Sequence, residues 1–390
     1  MRIVSLAHAY PRWEGDVAGA FIERLVLALQ RRSHRISMIV PADSGVGGVI
    51  VRSGVAVRRV RYAPACLEVL AYRGHMTQAL RSAGGMACFA ALLASQTGAA
   101  IEASNAEPAD LIHAHWWVPG GIAGWLAHLV VHRPYVVTLH GTDVAVLEQS
   151  RVARGLARKV LRQAGAVTAV SAFLAHRTAE VLSIDPSQFL VQPMPLDVGR
   201  YSRLSQGGGG IVTVGRLVAQ KRIGALLEAV ARLRSTGTEL PLRIIGDGPE
   251  RRSLEYYATR LGIANTTEFV GEVSPEAIPN EIGNADVFAF PATAEGFGLA
   301  AAEALMLGVP VVASRSGGGV SEFVPPEGAG RLVSSDSPGE LAVAIASLVN
   351  DPRSRHRAAE LGGELKARFE PDRVAAVFEA VYTRALRETR

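Results

Sequence analysis

From residue 2 to residue 333 the chain alternates short β-branched runs with helical segments, and this alternation constrains its fold more than any single motif. Runs at 2-7, 35-42, 55-62, 110-115, 135-140, 166-171 and 189-193 read as strands. A second series follows at 211-214, 242-246, 267-271, 287-290, 310-314 and 330-333. Helical patterns fill most gaps, among them 19-32, 78-94, 120-131, 152-163, 172-182, 222-235, 250-261 and 338-349. Repeated βα units with buried-strand composition predict two doubly wound α/β domains with parallel sheets. At 390 residues the chain exceeds what one core holds, and 48% hydrophobic residues suffice for two. The glycine run "RLSQGGGG", 203-210, reads as the linker. It sets a first domain over 1-203 and a second over 204-370, with a C-terminal helix at about 371-390 that can pack back on the first.

Charge and cysteine content exclude several classes. Cys66 and Cys88 lack CxxC spacing, so neither a disulfide framework nor a zinc cage is expected, and a reducing, cytoplasmic setting fits best. The N-terminus enters a strand pattern directly, with no signal-peptide pattern, and no segment has an unbroken apolar length that spans a bilayer. A net charge of +5 suits nucleotide phosphates or a peripheral contact with an anionic membrane face. Without a dense basic tract interleaved with aromatics, nucleic acid is not an expected partner. Lys occurs only at Lys159, Lys221 and Lys366.

In parallel sheets ligands lie beyond the C-terminal ends of the strands, so polar residues there carry the functional signal. "IVTVGRLVAQKR" ends a strand at Gly215 and presents Arg216 and Lys221 around a short turn, either as surface cations or as a pair able to hold a diphosphate. In "PATAEGFGLAAAEALMLGVPVVAS", a loop with Gly296 and Gly298 precedes a helix that begins near Leu299 and is closed by Gly308. Glu295 lies ahead of that helix and Glu303 one turn inside it. Alone they read as dipole complement and solvated face; together they flank an anion site at a helix N-terminus. In the first half His8, His113, His115 and His140 fall at neighbouring strand ends, which suits packed structural histidines or, with Asp143, a metal site.

Taken together, "GRLVAQKR", "GDGPE", "TEFVGEV", "ADVFAFPATAEGFGLAAAEALMLGVPVVAS" and "HGTD" resemble the retaining glycosyltransferases of family 4 over nearly the whole chain. "YPRWEGDVAG" resembles the family's glycine loop, with Gly15, Asp16 and Gly19 at matching places. One departure is "VQPMPLDVGRY", where Met194 and Pro195 replace an Asn-Gly pair and Asp197 remains. The resemblance implies the GT-B fold, two Rossmann-like domains facing a central cleft. It implies a metal-independent transfer of a hexose from a UDP- or GDP-sugar, with no cofactor, to a hydroxyl acceptor such as a glycan, a lipid-linked sugar or a small aglycone. By the same resemblance Glu303 takes the ribose, Glu295 the sugar hydroxyls, and the amides of Gly296, Phe297, Gly298 and Leu299 share the phosphates with Arg216 and Lys221. Gly19 and Gly215 line the donor, the base lies near Val270 to Val273, and His140 reaches the transferred sugar. The acceptor is expected on the first domain, around 61-80, with Asp16, Tyr72 and His115 as contacts. Rival readings are a nucleotide-sugar epimerase or hydrolase of the same fold, a histidine-metal hydrolase, and a non-catalytic sugar-nucleotide-binding subunit.

Overall fold

The computed structural model describes residues 1–72, 76–201 and 207–388. Residues 203–206 of the expected linker, 73–75 of the segment 61-80 and the last two of 371-390 lie outside these. The chain divides into two compact units, one formed by Met1–Leu196 with Pro371–Arg390 and the other by Asp197–Glu370. The division falls ahead of the glycine run, after Leu196, and the C-terminal helix belongs to the first unit.

The first unit is built on strands β1 (Arg2–Leu6), β2 (Arg35–Pro41), β3 (Gly48–Arg52), β4 (Val55–Val60), β5 (Leu111–His115), β6 (Tyr135–Leu139), β7 (Ala166–Ala169) and β8 (Phe189–Val191), in the order β3-β4-β2-β1-β5-β6-β7-β8. Every pairing is parallel except β3 with β4. That hairpin departs from the expected all-parallel sheet: "VIVRSGVAV" turns at Ser53 and Gly54 and leaves β3 an exposed edge strand. The central strands β5 and β6 are buried along their whole length, as strands covered on both faces must be. A further helix, Thr142–Gln149, begins inside "HGTD", where the sequence carries no helical pattern. The expected helix over 78-94 is instead the long helix Ala83–Ala106 preceded by a single turn, Met76–Ala79. That long helix has the length and composition to cross a membrane, although Leu92, Gln96, Ala99 and Ala100 are buried against the unit.

The second unit carries β9 (Ile211–Val214), β10 (Leu242–Ile245), β11 (Thr267–Gly271), β12 (Val287–Phe290), β13 (Val311–Ser314) and β14 (Gly330–Val333), in the order β11-β10-β9-β12-β13-β14, all parallel. In each sheet the strand order reverses beside the first strand, between β1 and β5 and between β9 and β12. Crossover connections there run to opposite faces and leave a crevice at the carboxyl ends.

The helix Pro371–Glu388 turns Val374, Ala375, Phe378, Val381, Tyr382 and Ala385 inward, a helical stripe with no appreciable exposure. Tyr382 places its hydroxyl 2.9 Å from His113 Nδ1 on β5, and the other ring nitrogen lies 2.8 Å from Thr138 Oγ1 on β6. At the rim Glu379 accepts from Arg32 at 2.6 Å and pairs with His34 at 2.7 Å. Tyr382→Phe should leave His113 Nδ1 buried without a partner and lower the stability of the chain by roughly 1 to 3 kcal/mol. Urea unfolding followed by near-ultraviolet circular dichroism checks this; an unchanged midpoint and slope would show that the contact contributes nothing.

Candidate functional site

In the second unit the crevice between β9 and β12 is walled by two loops that are laced together by backbone. Gln220 accepts from the Thr293 amide through its carbonyl at 3.0 Å and donates from Nε2 to the Thr293 carbonyl at 3.0 Å. On the far side Glu295 N donates to Gly317 O at 3.1 Å and Gly319 N donates to Glu295 O at 3.0 Å. These bonds fix the backbone of Lys221 and Glu295 on facing loops, and their side chains meet: Lys221 Nζ lies 2.9 Å from Glu295 Oε1. Each side chain is only 19% exposed, so the pair is shielded well beyond an ordinary surface ion pair. The ammonium also lies 5.0 Å from the centroid of the Phe290 ring. Arg216 is exposed nearby in sequence on the same loop.

The helix Leu299–Met306 starts from Gly298, whose φ of 91° is costly for any residue with a Cβ. Among the described residues no side chain caps it, so first-turn N–H groups are available to a ligand. Ala301, Ala302, Ala304, Leu305 and Met306 are buried, whereas Leu299, Ala300 and Glu303 share a half-exposed strip. Glu303 therefore sits on the open side, one turn from the N-terminus. Phe297 does not: its ring is buried between Phe323 and Phe369, at 5.1 Å and 5.3 Å, so only its backbone is available to a donor. Val270 on β11 and Val273 beyond it are half-buried. The loop after β10 ties to β9 and β11, with Leu217 N donating to Asp247 O at 2.9 Å and Gly246 N to Gly271 O at 2.7 Å. Gly215 N in turn donates to Ile245 O at 2.9 Å.

In the first unit the loops after β1, β5 and β6 bring His8, Trp116 and His140 together. The Trp116 ring lies tilted 4.5 Å from His140 and meets His8 edge-on at 4.2 Å, and Phe21 lies 5.1 Å from His140. Behind them His115, fully buried, places Nδ1 3.1 Å from His140 Nε2. Burial pushes His8 down to about 4 and His113 to about 3. It also holds His115 and His140 well below the usual imidazole range, so burial favours the neutral form of all four rings. Among the described residues no group of three or more His, Cys, Asp and Glu is placed to hold a metal ion.

Asp143, considered above only as a metal ligand, organises the loops instead. Its carboxylate accepts from the amides of Gly141 at 2.9 Å, His140 at 3.2 Å and Trp117 at 3.1 Å, while the Trp117 indole donates to its carbonyl at 2.7 Å. Burial raises its pKa above the usual carboxylate value, against those three bonds. An acid two residues beyond a glycine at a helix start is the sequence signal for this role.

The three residues expected to meet an acceptor have their polar groups engaged inside the unit. Asp16 accepts from Arg12 Nε at 2.7 Å and from the Arg12 and Ala18 amides, and Arg12 also reaches Asp43 at 2.5 Å. Tyr72 donates to Pro41 O at 3.1 Å and accepts from Arg59 at 2.9 Å. His115 is the buried ring just described. Of the three, Asp16 shapes the loop after β1, where it holds Arg12. Gly19 closes that loop with φ 72°, and a Cβ there would collide with the Ala9 carbonyl.

Comparison with known proteins accords with this geometry. Residues 18–195 match the model of the glycosyl transferase 4-like domain, and residues 203–364 that of the glycosyl transferases group 1. D-inositol 3-phosphate glycosyltransferase 2 of Catenulispora acidiphila is 30% identical over 315 residues, 72% of each chain. Among solved structures, sucrose-phosphate synthase from Thermosynechococcus elongatus superposes with a TM-score of 0.81 at 22% identity, over 98% of both chains. The Anabaena protein HepE, solved with UDP, gives 0.75 at 22% identity over 98% of this chain and all of its own. At those identities the two structures speak to the fold, the two-sheet GT-B architecture. The family models and the inositol phosphate relative go further, and by them this chain belongs to the glycosyltransferases of family 4.

Proposed function

We propose that this glycosyltransferase moves a hexose or hexose derivative from a UDP- or GDP-sugar to a hydroxyl acceptor, with retention of anomeric configuration and without a metal. The observation that carries the reading is the shielded Lys221–Glu295 pair beside an uncapped helix start whose open strip bears Glu303. A nucleoside diphosphate needs positive charge and N–H donors at its phosphates and a carboxylate for its ribose diol. Lys221, Arg216 and the backbone from Gly296 to Leu299 supply the first, and Glu303 the second. Glu295 orients Lys221 and takes hydroxyls of the sugar; the base lies against the backbone of Val270 to Val273, and His140 takes a further hydroxyl of the transferred sugar. The acceptor is any hydroxyl compound the first unit admits, among them a glycan, a lipid-linked sugar or a small aglycone.

Between the two retaining mechanisms, the state of the carboxylates favours front-face attack over double displacement. Double displacement requires an unencumbered acid to bond to the anomeric carbon. Glu295 is held by Lys221, and both oxygens of Asp143 accept backbone N–H bonds. Front-face attack remains: the acceptor oxygen bonds to the anomeric carbon as the bond to the β-phosphate oxygen breaks, and the acceptor proton passes to that departing oxygen. Lys221 and Arg216 stabilise the charge that develops on it.

Three measurements test the reading. Lys221→Ala should lower kcat by about 10²-fold or more, the usual cost of one preorganised charge stabiliser. Unaltered steady-state constants would remove Lys221 from the site. Chelator treatment should leave turnover intact, because two cations and a helix N-terminus already offset the diphosphate charge; loss of activity with rescue by magnesium or manganese would refute the assignment of the phosphate site. Proton NMR of the product from an α-linked donor should show the small anomeric coupling of an α-glycoside, and a β-linked product would sink front-face attack.

A further inference from the structure

His115 has a feature that packing alone does not require. Its ring is completely buried, its Nδ1 lies 3.1 Å from His140 Nε2, and its Nε2 is buried with no hydrogen-bond partner among the described residues. A phenyl ring of similar shape would fill the same space without an unmatched polar atom, so the imidazole is favourable only through its bond to His140. That bond also settles which nitrogen carries hydrogen. If His140 donated from Nε2, His115 would have to carry its own hydrogen on Nε2, leaving a buried N–H without an acceptor. If His115 donates from Nδ1, the unmatched atom is a lone pair, the better tolerated of the two. His113 cannot take over the task, because its two nitrogens are committed to Tyr382 and Thr138.

We propose that His115 is the positioning residue of His140: its Nδ1–H donates to His140 Nε2 and fixes His140 in the tautomer with hydrogen on Nδ1, so that His140 presents an N–H donor to a hydroxyl oxygen of the transferred sugar. The inference rests on the reading of His140 as a sugar contact. Trp116 and Phe21 hold the plane of the His140 ring, and the Asp143 carboxylate holds its backbone, so His115 supplies the remaining constraint, the proton's place. Neutrality of both rings, enforced by burial, keeps one hydrogen on each and makes the tautomer a defined state.

Long-range proton–nitrogen NMR of the full chain, labelled at histidine nitrogens, reads the tautomer directly. In the wild-type chain His140 should show a pyrrole-type Nδ1 and a pyridine-type Nε2. In His115→Phe the hydrogen should redistribute between the two nitrogens, kcat should fall by about ten- to a hundredfold, the scale for misplacing a reacting group, and the donor KM should stay within about twofold. His115→Asn, whose amide nitrogen falls near the position of Nδ1, should restore the wild-type tautomer and most of the turnover. In a His140→Ala background His115→Phe should cost nothing further. A wild-type His140 protonated at Nε2, an unchanged tautomer in His115→Phe, or an equal loss in both backgrounds would overturn the proposal. Full turnover in His140→Ala would instead defeat the sugar-contact reading, and the tautomer would still decide for or against His115.

Discussion

A parallel sheet covered on both faces has no room for polar chemistry along its strands, and this constraint governs where everything else in the protein lies. The fully buried strands Leu111–His115 and Tyr135–Leu139 show it in the first unit, and Val287–Phe290 and Val311–Ser314 in the second. Even the polar residues within the strands, His113 and Thr138, satisfy each other and Tyr382 rather than face solvent. Side chains that act on a ligand are pushed to the loops after the carboxyl ends, and the reversal of strand order opens those loops beside β1 and β9. The histidine cluster occupies one such edge and the Lys221–Glu295 pair the other.

Loops can carry chemistry only if their backbones are held, and here the holding is done by polar groups remote from any reacting atom. Gln220 binds the chain around Thr293, and the Gly317 carbonyl and the Gly319 amide bracket Glu295, so that two flexible side chains converge with little entropy left to lose. Asp143 plays the same part for His140 by accepting three N–H groups. A half-buried ion pair makes a modest contribution to stability, because the desolvation of both charges offsets much of their attraction. On the proposed reading its value is preorganisation: the ammonium is largely shielded from water and held in place before a diphosphate arrives. The clasp of Arg12 between Asp16 and Asp43 fixes the loop after β1 by the same principle.

Much of this was legible beforehand. The strand and helix periods located every described strand but β3 and most helices, though not Thr142–Gln149, Ile278–Gly283 or Ser354–Phe369; Gly298 and Gly308 bounded the helix that carries Glu303, and Arg216, Lys221, Glu295 and Glu303 stood out by type and spacing. What escaped notice shared a physical cause. The hairpin at Ser53 and Gly54 adds to the strand expected at 55-62 a short partner, Gly48–Arg52, whose exposed apolar run lies on the sheet edge without the alternation of a half-buried strand. The helix Thr142–Gln149 has weak amphipathicity because it is short and its buried face puts the acid Asp143 beside Val144 and Leu147 while the apolar Ala145 is exposed. Asp16, Tyr72 and His115, the expected acceptor contacts, make bonds within the unit that their types alone did not announce, to Arg12, to Arg59 and Pro41, and to His140. A side chain's type states what bonds it can make, not which partner will claim them.

The sequence by itself determined the two βα series, the family and the residue types at the strand ends, because periodicity and turn chemistry are local and survive in one dimension. Only the tertiary structure decided the pairings: Lys221 with Glu295 between the loops after β9 and β12, His115 with His140, and Tyr382 with His113 from the far end of the chain. Those depend on which strands become neighbours in the sheet. Strand order is a global property, set by how crossovers cover both faces at once, and no local stretch of the chain contains it.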